Sequence, residues 1–271
     1  MRRAGPAAMA ACALLFVAWA VAPAPAEPAE PAAPTESAAE SAALADPSRR
    51  AVIAAARYVA PTTRYGHGVL GDAVEWGGLE LRLAPCPGCA ATGTVTFTLP
   101  DTRVFEDSAP RLADLDGDGA PEVIVVETDI ATGAALAIYG PRGKIAQTPP
   151  IGRSHRWLAP LGAADLDGDG RVELAYIDRP HLARILRIWR YERGALHPVA
   201  AAPGLTNHRI GDATIAGGIR HCPPQPPEIV ALSPDWTRLI AARLDRDGRI
   251  TTRAQGRHAG AESLARALAC D

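Results

Sequence analysis

Leu79, Leu81 and Leu83 alternate with Glu80 and Arg82, and Val95, Phe97 and Leu99 alternate with Thr96 and Thr98. A period of two marks a strand with one buried face. Residues 123–127 (VIVVE) and 174–178 (LAYID) are rich in β-favouring side chains and read as strands too. Sliding the chain on itself gives four related units. The first starts near Tyr65 with GHGVLGDAVEWGGLELRL and TVTFTLPDTRVF. The second and third carry the hairpin-like stretches ALAIYGPRGKIAQ and LRIWRYERGALHPVA. The fourth runs through NHRIGDATIAGGIRHC, PEIVAL and LIAARLDRDGRITTR. In each unit a Gly-containing turn divides two short β-rich runs, as in a hairpin. Units of about 45–50 residues with several strands match propeller blades better than sandwiches. The expected fold is all-β, a small propeller of four blades of antiparallel strands. No long 3.6-residue period lies outside the two ends, which excludes a helical solenoid. The closing AESLARALACD reads as a short amphipathic helix held by Cys270.

One stretch occurs twice. Residues 113–119 read ADLDGDG, and residues 164–170 read ADLDGDG again, Asp114 recurring as Asp165, 51 residues on. Each copy continues to a Glu, Glu122 or Glu173, and then to one of the apolar runs. Asp at alternate positions puts the carboxylates on one side of a short loop, and Gly119 and Gly170 suit its sharp turn. Like charges this close repel unless a cation neutralises them, and a dense set of hard oxygens suits Ca²⁺ better than Zn²⁺ or copper. An EF-hand needs a bidentate Glu at position twelve, where this chain has Val125 and Tyr176. Both copies therefore read as calcium loops that lead into strands.

The pattern DxDGDGxxE followed by apolar residues resembles the FG-GAP/VCBS repeat, whose units build the blades of integrin-type β-propellers. The resemblance spans about residues 64–250 and is concentrated in the two loops. It implies one structural Ca²⁺ per loop. The ligands would be Asp114, Asp116, Asp118, the Ala120 carbonyl and Glu122 in the first, and Asp165, Asp167, Asp169, the Arg171 carbonyl and Glu173 in the second. The family usually has Asp where this chain has Glu122 and Glu173. Asp245-Arg246-Asp247-Gly248 looks like a third copy, but it aligns with the outer hairpin turns and is expected to hold no metal. Gly71, Asp72 and Glu75 offer too few carboxylates for a site. Residues 51–59 resemble the outer edge of a blade and are expected to complete the last blade and close the ring.

Composition places the domain and its compartment. The 271 residues carry 28 basic and 30 acidic side chains, a formal charge of −2 that gives no general attraction to nucleic acid. Arg2 and Arg3 precede an apolar stretch, residues 7–21, and Ala24-Pro25-Ala26 completes an export signal cut before Glu27. Roughly 15 apolar residues are short for a spanning helix. The expected organisation is a signal peptide over residues 1–26, an Ala/Pro/Glu-rich disordered linker over 27–49, and the propeller domain over 50–271. Export to the periplasm or beyond leaves Cys86, Cys89, Cys222 and Cys270 in an oxidising compartment, with three possible pairings. Cys86 with Cys89, sharing a Pro-Gly loop, and Cys222 with Cys270 is the favoured set. CPGC lacks the βαβ surroundings of a thioredoxin-like site, and no second CxxC or HxxxH completes a zinc site.

Catalytic signatures are missing. The seven His (67, 155, 181, 197, 208, 221 and 258) are scattered, and no GxSxG, GxxxxGK[ST] or strand-led GxGxxG occurs. Tyr65 and His67, His155 and Arg156, and Asn207, His208 and Arg209 recur near unit starts and read as polar groups satisfying turns. Trp76, Trp157, Trp189 and Trp236 read as blade packing. The basic and apolar run from Arg179 to Arg190 reads as a strand with a solvated outer face. The expected function is a non-enzymatic binding or scaffolding module for a protein or glycan ligand outside the cytoplasm. The alternative is an extracytoplasmic hydrolase or lyase, which requires acid and base groups from several units to meet at one mouth.

Overall fold

The computed structural model describes residues 51–84 and 93–270. The proposed signal, the linker and the Cys86–Cys89 pair lie outside the described residues. The strands run in order as β1 (Val52–Thr62), β2 (Glu75–Ala84), β3 (Gly93–Thr98), β4 (Arg103–Phe105), β5 (Arg111–Ala113) and β6 (Glu122–Asp129). They continue as β7 (Gly133–Gly140), β8 (Gly143–Gln147), β9 (Leu158–Ala164), β10 (Glu173–Asp178), β11 (Ile185–Glu192) and β12 (Ala195–Pro203). The last are β13 (Gly218–Arg220), β14 (Glu228–Leu232), β15 (Arg238–Leu244) and β16 (Ile250–Arg257), followed by a helix, α1 (Ala261–Leu268). The described chain is all-β apart from that helix, and its strand pairings are antiparallel.

The third and fourth units are four-stranded meanders, β9 to β12 and β13 to β16, each in sequential order. The first two units share one eight-stranded sheet, because β4 bonds β2 at Trp76–Phe105 and β6 at residues 103–105 with 127–129. β4 and β5 thus lie end to end along one side of β6, and β7 and β8 follow on its other side. Turn chemistry matches the sequence. Arg193 and Gly194 both take positive φ, 51° and 74°, as a two-residue hairpin turn requires. Asp245 accepts the backbone N–H groups of Asp247 and Arg249 at the β15–β16 turn, so the third DxDG is a hairpin turn as expected.

Alternate residues of each second strand face two different cores. Val123 and Val125 of β6 pack with Leu79, Leu81 and Leu83 of β2, while Ile124 and Val126 pack with Leu158, Leu174 and Tyr176 of the third unit. Ala175 and Ile177 of β10 face Ile229 and Ala231 of β14. Val230 and Leu232 then face α1 through Leu264, Ala267 and Leu268. The four units are therefore stacked sheet on sheet, with the helix covering the far face of the fourth.

Two expectations about closure change. β1 does not join the last unit; it pairs with β2 from Val52–Ala84 to Thr62–Glu75, where Ile53 and Tyr58 enter the first core. No closed ring of strands is formed among the described residues. The first and fourth units meet at their loops, where Gly211 donates its N–H to the Val69 carbonyl.

The helix is fixed at both ends. Ser263 Oγ accepts the Ala259 N–H and donates to the Gly260 carbonyl, closing the first turn. At the other end Arg220 donates to the Ala267 carbonyl, and Cys270 is joined to Cys222 across 48 residues of chain. Closing a loop of that length stabilises the fold by about 4 kcal/mol. The Cys222→Ser/Cys270→Ser pair should lower unfolding free energy by about that amount in urea titration. An unchanged midpoint would mean the helix is held by packing alone.

Candidate functional site

Both acidic loops join the first strand of a unit to the second, β5 to β6 and β9 to β10. They fold by the same hydrogen bonds. Asp114 Oδ1 accepts from the N–H of Gly117 and Asp118 and its Oδ2 from Gly119; Asp165 does the same with Gly168, Asp169 and Gly170, all between 2.8 and 3.1 Å. Asp116 and Asp167 accept the next N–H, from Asp118 and Asp169. Glu122 and Glu173 reach back to the N–H of Leu115 and Leu166, both at 2.9 Å. A loop that would otherwise expose its donors thus satisfies them with its own carboxylates.

Asp114, Asp116 and Glu122 each present an oxygen within 4.8 Å of the others, and so do Asp165, Asp167 and Glu173. Oxygens on opposite sides of a Ca²⁺ ion lie about 4.6–5.2 Å apart, so each trio is close enough to share one cation of that size or smaller. Asp118 and Asp169 stand outside the trios and cap the next N–H, of Ala120 and Arg171.

The two loops differ in what neutralises them. Arg190 of β11 bonds Glu173 Oε1 and Asp167 Oδ2, each at 2.6 Å, and lies 3.3 Å from Asp169 Oδ2. Arg171 pairs with Asp169, and Arg246 donates to the carbonyls of Asp167 and Gly168. Arg190 lies opposite Glu173 across the β10–β11 hairpin; the same place in the β6–β7 hairpin, one step past Val123–Tyr139, is Gly140. At the register position opposite Glu122 there is therefore no counterpart of Arg190. The Glu122 carboxyl is pushed up to about 7, chiefly by burial and then by Asp116, Asp118 and Asp114, against the pull of the Leu115 N–H. The oxygens of the first trio lie close enough together to share a divalent cation. The second fits one only with Arg190 displaced.

The basic side chains of the run from Arg179 to Arg190 are partly exposed, as expected of an outer strand face, and three of them are also paired. Arg179 and Arg187 both pair with Asp178, and Arg190 with the loop. Reading these partners from sequence requires the hairpin register, which composition does not supply.

A second cluster forms where the sequence placed only turn-satisfying polar groups. His67, His155, Arg156, Trp157, Arg179, His181 and Leu182 line one cleft of about 30 Å³. His67 Nδ1 lies 2.5 Å from Glu106 Oε1, Thr128 donates to Glu106 Oε2, and Trp157 Nε1 donates to the Glu106 carbonyl. Tyr65 stacks on His155, and its hydroxyl accepts the His155 N–H. His181 meets His208 at 2.9 Å, and His208 reaches the Asp212 carbonyl. Residues 65–67, 106, 155–157, 179–182 and 208 come from loops of all the units.

Residues 114–176 match the family described as the FG-GAP-like repeat. Over this stretch the chain is similar to an FG-GAP-like repeat. It opens at the first Asp of the first loop, contains the whole of the second loop and ends in β10, so the family's signal falls on the twin loops and the strands they join. No curated protein and no solved structure matches the chain.

The raised Glu122 pKa gives a pH dependence. The carboxyl holds its proton more tightly folded than unfolded, so metal-free protein loses stability as pH rises from about 4.5 to about 7, beyond which the loss is complete. In EDTA, Glu122→Gln should therefore melt higher than wild type at pH 8 and level with it at pH 4. Equal melting at pH 8 would show that the carboxylate is not strained in the empty loop.

Proposed function

We propose that the protein is an exported, calcium-stabilised binding or scaffolding module of propeller type, with residues 1–26 as its signal, 27–49 as a linker and 50–271 as the binding domain. The observation that carries this is the pair of FG-GAP-like loops with the same internal hydrogen bonding and three carboxylates each close enough to share one cation. Asp114, Asp116, Asp118, Glu122 and the Ala120 carbonyl would hold one ion. Asp165, Asp167, Asp169, Glu173 and the Arg171 carbonyl would hold a second, more weakly, because the ion must displace Arg190. The ion's part is to neutralise the loop; the protein supplies the strands that fix it. The Cys222–Cys270 disulfide supports a compartment outside the cytoplasm. No helix of the described residues is long and apolar enough to cross a membrane. The expected ligand is a protein or glycan.

One observation favours the enzymatic alternative. His67 with its buried Glu106 partner, Arg156 and Arg179 come from different units and meet at one cleft, as a hydrolase or lyase would require.

Calcium should raise the melting temperature by about 5–10 °C at a hundredfold excess over Kd, and EDTA should reverse it. Asp116→Ala should remove most of that rise, Asp167→Ala a smaller part, and both together nearly all. Scanning calorimetry with and without calcium decides it; identical curves for the wild type would sink the calcium reading.

A further inference from the structure

The β15–β16 hairpin is basic. Residues 236–258 carry six arginines against two aspartates, a local charge opposite in sign to the chain's formal −2. Two of the six are spent: Arg253 bonds both oxygens of Glu228, and Arg246 donates to carbonyls of the second acidic loop. Arg238 and Arg257 stand directly opposite each other across the pair, and both are exposed. Neither guanidinium has an ion pair or hydrogen bond among the described residues. Like charges set directly opposite in a sheet destabilise it. Edge protection would account for a charge on β16, the outermost strand, but Arg238 lies one strand inside it.

The two arginines line a groove of about 510 Å³ together with Thr237, Ala254 and Gly256. Its floor is open, since a side-chain carbon at Gly256 would meet nothing within 4 Å. No acid is among its described lining residues. Asp235, the nearest in sequence, is drawn into its own turn by Ser233 Oγ and by the Thr237 N–H and hydroxyl. Trp236 precedes Thr237, and His258, which follows Arg257, bonds the Trp236 carbonyl, so the indole stands beside the groove. The Arg209 guanidinium lies over that indole, 4.1 Å from the ring centroid. Stacking fixes its plane and leaves its N–H donors unspent. Ile210, the next residue, is 72 % exposed.

Three separate guanidiniums beside one groove call for carboxylates spread along a chain, each taken by a planar fork. We propose that the groove docks an extended acidic peptide segment of a partner protein, its carboxylates on Arg238, Arg257 and Arg209 and an apolar side chain against Ile210. The free edge of β16 selects a peptide over an acidic polysaccharide. From Ile250 to Ala254 that strand keeps regular register with β15 on one side, and among the described residues no strand pairs with it on the other. An added chain would pair there, with side chains on one face recurring about every 7 Å. The proposal deepens the binding-module reading by naming its ligand class, and it makes no use of the calcium loops.

The test is fluorescence anisotropy of the full chain with a labelled peptide of about 12 alternating Glu and Thr residues, about 40 Å when extended. Binding should saturate in the micromolar range and persist in EDTA, which separates it from the calcium reading. A peptide of alternating Lys and Thr should not bind. Arg238→Gln/Arg257→Gln should weaken binding about tenfold or more by removing charge-assisted bonds. Arg249→Gln, an equal charge change in the hairpin turn, should leave it within about twofold. Replacing the peptide's Thr by Pro keeps its charge, removes ladder donors and should weaken binding too. In wild type, a benzophenone on the peptide should crosslink to residues 236–258, a readout that stands if the double variant fails to fold. Silence at about 1 mM peptide would overturn the proposal. So would an equal loss in Arg249→Gln, crosslinks spread over the surface, unchanged binding of the Pro peptide, or an oligogalacturonate of equal charge that binds as tightly as the Glu peptide.

Discussion

Everything in this fold turns on how charge is neutralised in the loop between the first and second strands of a unit. The loop must reverse the chain tightly, and it does so by folding backbone N–H groups onto Asp114 or Asp165. That economy gathers carboxylates within a few ångströms, where their repulsion must be offset. The units solve this differently. In the second unit the trio of Asp114, Asp116 and Glu122 has no counterpart of Arg190 across its hairpin, and on the proposed reading an outside cation takes that part. In the third, Arg190 crosses the hairpin and supplies the positive charge from within. In the fourth, the corresponding connection from β13 to β14 carries no carboxylate trio; Cys222 stands there instead and ties the loop covalently to the C-terminus.

The stacking of the units follows from strands that bury both faces. β6 and β10 each send odd and even residues into different cores, so each sheet is a partition between two apolar layers. Such a series needs ends. At one end α1 closes the fourth sheet with Leu264, Ala267 and Leu268. At the other, the first sheet turns Glu80 and Arg82 away from its core, and Arg57 pairs with Glu80 across β1 and β2. A polar outer face does not need a further sheet, which is why β1 can settle beside β2 rather than complete the fourth unit.

What the sequence made legible was local. The twin heptads, the hairpin turn at Asp245–Gly248, the amphipathic helix and the Cys222–Cys270 bridge all depend on spacings of a few residues or on simple pairing, and all are present in the structure. What stayed hidden was relational. Arg190 is one basic residue among several until the β10–β11 register sets it opposite Glu173. β4 is too short to show itself, yet it joins two units into one sheet. Glu106 carries no motif at all, and its meaning comes from His67, 39 residues earlier in the chain.

The two ends of β9 and β10 connect these themes. Trp157 immediately precedes β9 and Asp165 immediately follows it; Glu173 opens β10 and Arg179 follows its close. The acidic loop and the cleft thus sit at opposite ends of one antiparallel pair, about 20 Å apart by strand rise. A paired strand transmits register, so whatever fixes the loop also fixes where Trp157, Arg179 and His181 stand. That pair belongs to the third unit, whose loop is neutralised by Arg190. The unit that supplies His155, Arg156, Trp157, Arg179, His181 and Leu182 to the cleft is the one whose loop carboxylates Arg190 already pairs. The second unit contributes Glu106, which stands behind His67. If the second unit's loop takes an ion, its loss leaves the strand pair that carries the cleft still tied by Arg190.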